Sequence, residues 1–411
     1  MDVIYPRCAG LDVHKDTIVA GVRLAHNGRT TNDVRTFAAA TPGRLAVAEW
    51  LAENGCTHVA MEATGVSWKP VWHILSPSDF TLILAHAAHV KNGPGRKTDV
   101  ADARWLADLP AHGLIGPSFV PDLAAGNAWP ARTRQQLVRE QASHLQRIQK
   151  VLEEANVKLA SVLTDIMGLS GRAVLAALIA AETDPDRLLG LIDRRVKAPA
   201  EKLRPALQGR ITDRHRFLLR LHLRQINALR DAIAAIDQEV DREIAPFRDA
   251  IRPLRSIPGV GDLSAQIIIS EIGIDMGRFP DAAHRIAWAG LCPRSDESAG
   301  KRRSTRLRKG GPWLKTTVIQ CAWSAVKQRS SYLHAQFQRL RQRRGPKKAI
   351  CAVAGSILTA IFHMLRDGTF YRDLGPDYLS KHAPLAYAKK LAQKITRLGF
   401  SCTLTPQTAG P

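Results

Sequence analysis

The chain has 411 residues, a formal net charge of +22 and a pI near 10.2, so it is long enough for two or three domains and basic enough to seek a polyanionic partner. Its cysteines (Cys8, Cys56, Cys292, Cys321, Cys351 and Cys402) form no C-x-x-C pair, which argues against a zinc site or a disulfide framework and suits a reducing cytosol. Asp12 and His14 interrupt the first apolar run, and the most apolar later one, Cys351 to Phe362, is too short to cross a bilayer. The expectation is a cytoplasmic protein with no membrane partner.

The charge is unevenly placed. Residues 1 to 120 carry 11 basic and 11 acidic side chains, whereas residues 294 to 348 carry 16 and 2. More than half of the excess therefore sits in one segment, which favours a nucleic-acid-binding face beside a separate, neutral unit.

In chain order, residues 8 to 22 (CAGLDVHKDTIVAGV) read as a strand pair split by a polar His-Lys-Asp step. Asp12 lies within the first run; inside a central strand it needs a partner, while at a strand end it would face solvent or cap the turn. A short strand around Val34 to Ala38 and a helix from about Pro42 to Glu53 follow. Cys56 to Met61 reads as a strand with Glu62 at its carboxyl end, where the ligand crevice of an open α/β sheet lies. Glu62 alone is equally a solvated loop acid. Gly65 permits a tight turn, and Thr81 to Ala85 supplies a further strand.

Residues 95 to 109 (GRKTDVADARWLADL) then place Asp99 and Asp102 three apart at the start of a helix, behind the turn signal Gly93, Pro94, Gly95. Residues so spaced share a face, and two carboxylates held together repel unless a cation relieves them. Hard divalent ions such as Mg2+ take carboxylate oxygens, and paired ions recur in phosphodiester cleavage. The plainer alternative is that acids in a first turn complement the helix dipole.

The middle of the chain is helical. Leu145, Ile148, Leu152, Ala155, Leu159, Val162 and Ile166 step alternately by three and four, as in a coiled-coil seam, and Ile226, Leu229, Ile233, Ile236 and Val240 repeat the pattern. Heptads do not name their partner, so the seams can close within one chain or between chains. Residues 254 to 273 (LRSIPGVGDLSAQIIISEIG) read as a helix-hairpin-helix, with Gly259 and Gly261 freeing backbone amides for a phosphate. Residues 289 to 315 then set Ser298 before Ala299, Gly300 and the cations Lys301, Arg302, Arg303, Arg306, Arg308 and Lys309. A basic helix is expected from Pro312 to about Arg343, an apolar one from about Lys347 to Arg366, and a short basic one near Tyr387 to Arg397.

Together Asp12, Glu62, Asp99 and Asp102 resemble the Asp-Glu-Asp-Asp set of RuvC-like nucleases of the ribonuclease H superfamily. More narrowly, GLDVHKD, MEATGVSWKPVW, HVKNGPGRKTDVADARWLADL and AGLCPRSDESAGK, in that order, resemble the DEDD transposases of the insertion-sequence "one-ten" family, relatives of Piv-type invertases. The likeness runs from about residue 8 to about residue 345. It implies an α/β plus α chain: a RuvC-like mixed sheet with helices over 1–120, coiled-coil helices over 121–250, a C-terminal all-α basic domain with a helix-hairpin-helix over 251–350, and a helix and tail over 351–411.

The resemblance further implies a recombinase in which Asp12, Glu62, Asp99 and Asp102 hold Mg2+, as a two-ion site, and Ser298 is the nucleophile that forms a phosphoserine link to DNA. The family carries that serine at a Ser-Gly step; here the step is Ser-Ala-Gly, so Ala299 can restrict the loop, and Ser295 and Ser304 stand as fallbacks. A structured guide (bridge) RNA and a homo-oligomer, dimer or tetramer, are implied partners beside DNA. The absence of a G-x-x-x-x-G-K-[ST] motif fits a reaction without ATP. The alternatives are a metal-dependent RuvC-like structure-selective nuclease, a Piv-type site-specific DNA invertase, and an inert nucleic-acid-binding protein.

Overall fold

The computed structural model describes residues 2–63, 65–86, 90, 98–120, 128–293, 296–308 and 310–405. The chain divides into two compact units, Met1–Pro121 with Arg278–His284, and Asp122–Gly277 with Arg285–Pro411.

The first unit is a sheet of five strands flanked by helices: β1 (Arg7–Val13), β2 (Thr17–His26), β3 (Arg29–Ala38), α1 (Thr41–Glu53), β4 (His58–Glu62), α2 (Trp68–Leu75), β5 (Thr81–Ala85) and α3 (Asp99–Ala111). The spatial order is β3-β2-β1-β4-β5; β1, β2 and β3 are antiparallel, and β1, β4 and β5 are parallel. The sheet is therefore mixed, and β1 is its central strand. β3 runs longer than the expected Val34 to Ala38. It is an edge strand with mostly exposed side chains, so its first half lacks the apolar alternation that marks a strand in sequence.

Side chains alternate across a strand, so each face of the sheet has its own core. Leu11, Ile18, Ala20, Val59 and Met61 pack with Trp50 and Leu51 of α1 and Val71 and Leu75 of α2. Ala60, Ile83 and Ala85 pack on the other face with Leu106 and Leu109 of α3. Asp12 on β1 and Glu62 on β4 have the parity of this second face. Two glycines let α3 settle there: Gly10 and Gly21 are paired across β1 and β2. A Cβ on Gly10 would lie 2.2 Å from the Ala103 carbonyl oxygen, and one on Gly21 3.2 Å from it. Arg23 of β2, 5% exposed, adds an ion pair at 2.7 Å to Asp108 of α3.

Among the described residues, the second unit is helical apart from one hairpin and an isolated bridge. Its elements are α4 (Ala128–Glu154), α5 (Leu159–Val162), α6 (Leu169–Ile179), α7 (Pro185–Gly190), α8 (Ala200–Leu207), α9 (Asp213–Ile244), α10 (Arg248–Leu254), α11 (Asp262–Ile272) and α12 (Ala282–Trp288), the last beginning in the first unit. There follow β6 (Asp296–Ser298), β7 (Lys301–Ser304), α13 (Pro312–Ala325), α14 (Tyr332–Arg344), α15 (Pro346–Asp367), α16 (Tyr378–His382) and α17 (Pro384–Arg397).

The long helices α4 and α9 pack on each other within the chain. Ile148 and Leu152 of α4 share a core with Leu219 and Ile226 of α9 and Val174 and Leu178 of α6. Arg134 to Asp237 and a His144–His222 contact, Nδ1 to Nδ1 at 3.1 Å, bridge the two helices. Of the two closures open to the seams, within one chain or between chains, the structure shows the first. The first seam does not run unbroken from Leu145 to Ile166: α4 ends at Glu154, Asn156 takes φ +59°, and Leu159 and Ile166 fold back into the same core. Apolar spacing marked the buried positions but not the left-handed residue that turns the chain.

Farther on, α13 packs on α11 and α15, and α14 on α15. The single basic helix expected from Pro312 to Arg343 is two, because Ser331 caps a new helix by accepting the amide of His334. α15, the apolar helix, has the length and composition to cross a membrane, but half of its apolar stretch is buried, with Val353, Ile357 and Ile361 fully enclosed.

Candidate active site

Three side chains of the first unit converge where β1 ends and α3 begins. Asp12, the penultimate residue of β1, stands on the face that α3 covers, with its side chain 19% exposed. Just past the strand, the backbone N–H of His14 donates to the Thr17 carbonyl at 2.9 Å, closing the hairpin into β2. The imidazole Nε2 lies 3.2 Å from an Asp12 oxygen and 3.5 Å from an Asp99 oxygen. Asp99 opens α3, whose N-cap Thr98 accepts the amide of Ala101. One ligand atom from each of Asp12, His14 and Asp99 lies within 4.8 Å of the other two.

The electrostatics are those of a site short of positive charge. Burial pushes the Asp12 carboxyl above the usual aspartate range; His14 works against this, and the Asp99 and Asp102 carboxylates push it further up. Asp102 is therefore close enough to act on Asp12 through its field, although it is not one of the three whose ligand atoms cluster. Glu62 reaches the same end of the sheet by register: Leu11 pairs with Met61, and one residue further on stand Asp12, next to last in β1, and Glu62, last in the neighbouring parallel strand β4. Among the described residues its carboxylate is not within the 4.8 Å cluster. Two carboxylates and an imidazole, with a third acid nearby, form a donor set that fits a divalent cation.

His14 is the member that sequence reading missed. The His-Lys-Asp step between two strands reads as a polar turn, and only the placement of α3 over β1 brings the ring between two acids.

In the second unit, Ser298 ends β6 and pairs with Lys301 of β7, so the loop that carries it is a tight two-residue hairpin. Both turn residues are left-handed, Ala299 with φ +48° and Gly300 with φ +71°. Such a turn matches the twist of a hairpin but favours glycine or asparagine at both places. At its base the backbones of Gly290 and Gly310 touch: a Cβ on Gly310 would lie 2.4 Å from the Gly290 nitrogen. Lys301, Arg303, Arg306 and Arg308 are exposed along this hairpin and its return. Lys309 and Ser295 lie outside the described residues, as do Gly93, Pro94 and Gly95, and of the Arg302 side chain nothing is described. The half-buried Ser304 accepts the amide of Arg306 at 3.2 Å.

The Pro-Gly-Val-Gly turn joins α10 to α11. Gly259, with φ +83°, presses on α13: its Cβ would lie 2.3 Å from the Cys321 carbonyl oxygen, so packing alone accounts for that glycine. Gly261 opens onto space and caps α11. A cleft of about 480 Å³ beside the turn is lined by Arg255, Ser256, Gln328, Tyr371 and Asp373 among others. Arg255 is already paired with Asp262 at 2.9 Å, so backbone amides rather than net charge would have to recruit a phosphate there.

Two family models match the chain. The model of the "Transposase IS116/IS110/IS902 family" matches residues 251–338, and a transposase model for the DEDD proteins of IS110 matches residues 9–157. The chain belongs to the IS110 family of transposases. The second of these matches contains Asp12, His14, Glu62, Asp99 and Asp102, and the first contains Gly259, Gly261 and the Ser298 hairpin.

Similar proteins include the y4pF/y4sB protein of Sinorhizobium fredii, 26% identical over 43% of this chain and 46% of its own. The 43.6 kDa protein of insertion element IS110 from Streptomyces coelicolor is 32% identical over 30% of each chain. The transposase for insertion sequence element IS1111A of Coxiella burnetii is 28% identical over 34% of this IS110-family chain and 40% of its own. The matched stretches thus span less than half of each relative.

Proposed function

We propose that this IS110-family chain is a DNA transposase that cuts and rejoins strands with a divalent-ion centre in its first unit and a serine nucleophile in its second. The observation that carries this reading is the convergence of Asp12, His14 and Asp99, with Asp102 beside them, on one point at the end of β1. Asp12, Glu62, Asp99 and Asp102 would hold the cation, Mg2+ in a two-ion arrangement. When bound, it supplies Lewis-acid polarisation of the scissile phosphate and neutralises charge that builds on it. The sheet order β3-β2-β1-β4-β5, with acids at the ends of β1 and β4 and at the start of α3, supports a RuvC-like catalytic domain over roughly residues 1–120. Residues 121–250 then serve as a helical linker, 251–350 as the serine-bearing transposase domain, and 351–411 as a terminal helix and tail.

The chain's own residues have separate tasks in this scheme. Ser298 Oγ gives up its proton and bonds to phosphorus while the bond from phosphorus to the departing deoxyribose oxygen breaks. That oxygen takes up a proton, and a phosphoserine link conserves the energy of the broken bond. Lys301, Arg302, Arg303, Arg306, Arg308 and Lys309 surround the step with positive charge that favours the developing anion. Gly259 and Gly261 contribute a backbone contact to the duplex, Gly261 through the open N-terminus of α11. A guide RNA as second polyanion accords with the net charge of +22. Assembly as a dimer or tetramer, in the cytoplasm and on the nucleoid, completes the reading.

Divalent-dependent strand cleavage with the purified protein tests it. Asp12→Asn and Asp99→Asn should each reduce cleavage by at least about a hundredfold. If cleavage leaves free ends and no protein-linked DNA, a hydrolytic RuvC-like nuclease replaces the transposase reading. If Asp99→Asn leaves all processing unchanged, the carboxylate centre is not the active site.

A further inference from the structure

We infer that His14 is itself a ligand of the cation, so that the centre is a mixed nitrogen–oxygen site favouring transition-metal ions such as Mn2+ and Co2+ over Mg2+. The inference rests on the reading that Asp12 and Asp99 hold a divalent ion; it adds His14 to that set and replaces Mg2+ with a transition metal as the preferred ion.

The geometry points this way. Neighbouring ligand atoms on an octahedral ion at about 2.1 Å lie roughly 3.0 Å apart. His14 Nε2 stands 3.2 Å from Asp12 and 3.5 Å from Asp99, near that spacing on both sides. The hairpin hydrogen bond from the His14 amide to Thr17 holds the ring's attachment point, and α3 fixes Asp99, so the three donors come from anchored backbone. His14 is still 45% exposed and Asp99 62% exposed, which leaves a path for a hydrated ion. The same exposure makes an ordinary surface ion pair a weak reason for the arrangement, since such pairs contribute little.

An imidazole changes which ion the site prefers. Mg2+ demands oxygen ligands and gives up water reluctantly, whereas imidazole nitrogen suits the later first-row ions. Asp12 and Asp99 alone would hold Mg2+ about as readily as Mn2+. With the His14 nitrogen added, the balance moves toward the transition metals, and Co2+ should bind more tightly than Mn2+.

Mn2+ binding to the full-length protein, followed by electron paramagnetic resonance, tests this without any turnover. The wild-type protein should bind Mn2+ and show spin-echo modulation from a directly bound nitrogen. His14→Ala should lose that modulation and weaken Mn2+ by about tenfold or more while weakening Mg2+ by less than about threefold. His14→Asp, which offers oxygen instead, should recover Mn2+ binding without the nitrogen signal and erase the preference over Mg2+. Bound Mn2+ that shows no nitrogen coupling, or coupling that survives His14→Ala, overturns the inference while leaving the carboxylate site intact. Absence of Mn2+ binding in the wild type, or binding that Asp12→Asn leaves unchanged, overturns both.

Discussion

Gly10 and Gly21 face each other across β1 and β2, and α3 rests on both of them. This contact sets the height of α3 above the sheet, and with it the position of Asp99 relative to Asp12 and His14. Gly10→Ala would drive a Cβ to 2.2 Å from the Ala103 carbonyl oxygen, so α3 must lift. The expected cost is about 1–3 kcal/mol of stability, as for other overpacked cores, together with loss of divalent-ion binding. Gly21→Ala, at 3.2 Å, should be milder on both counts. Urea unfolding and Mn2+ titration of the two variants check the order.

The turn after Ser298 stores strain that can be removed. Ala299 holds φ +48°, a conformation that costs a residue with a Cβ about 1 kcal/mol or more. Ala299→Gly should stabilise the hairpin by roughly that amount, offset in part by the freedom glycine has in the unfolded chain. It should leave strand cleavage intact or raise it. Thermal melts beside a cleavage assay read both, and a drop in stability would show that the turn is not left-handed.

A buried pair ties α4 to α11. Arg132 grips Glu271 through two bonds of 2.7 Å, and Glu271 is 1% exposed. Arg132→Ala leaves that carboxylate buried without its counter-ion and should cost about 3–5 kcal/mol. Replacing both residues with apolar side chains should cost much less, since the penalty comes from the stranded charge. A double-mutant comparison of denaturation midpoints distinguishes the two.

The packing of α4 on α9 should weaken in acid. His222 titrates below the ordinary histidine value of 6.5, first because of burial and then because His144 and Arg147 repel its proton. The unfolded chain therefore binds the proton more readily than the folded one. Stability from this group is fully present above 6.5 and is lost as pH falls from there toward the lower folded value. His222→Gln should flatten that part of the stability–pH curve while leaving the rest unchanged, which chemical denaturation at a series of pH values would show.

The residues that make the site were legible in the sequence to the extent that apolar pattern fixed them. Thr81–Ala85 and the start of α3 at Asp99 follow from an apolar run and from the turn signal Gly93, Pro94, Gly95 ahead of the helix. β3 escaped in its first half because an edge strand needs no apolar alternation, and its exposed Arg29 to Asp33 carry none. His14 escaped for a different reason: its role arises from the approach of α3, a contact made by Gly10 nearly 90 residues earlier in the chain than the helix it meets. The seam of α4 shows the converse limit. Its heptads identified the buried positions, but the partner, α9 of the same chain, was settled only by packing.

The proposed function requires strand cleavage to pass through Ser298. Incubation of the full-length protein with Mg2+ or Mn2+ and a suicide DNA substrate, followed by protease digestion and mass spectrometry, tests it most directly. The expected product is a nucleotide joined to the peptide bearing Ser298, lost in Ser298→Ala and in Asp99→Asn. Cleaved DNA with no protein attached, or an adduct that persists in Ser298→Ala, would contradict it.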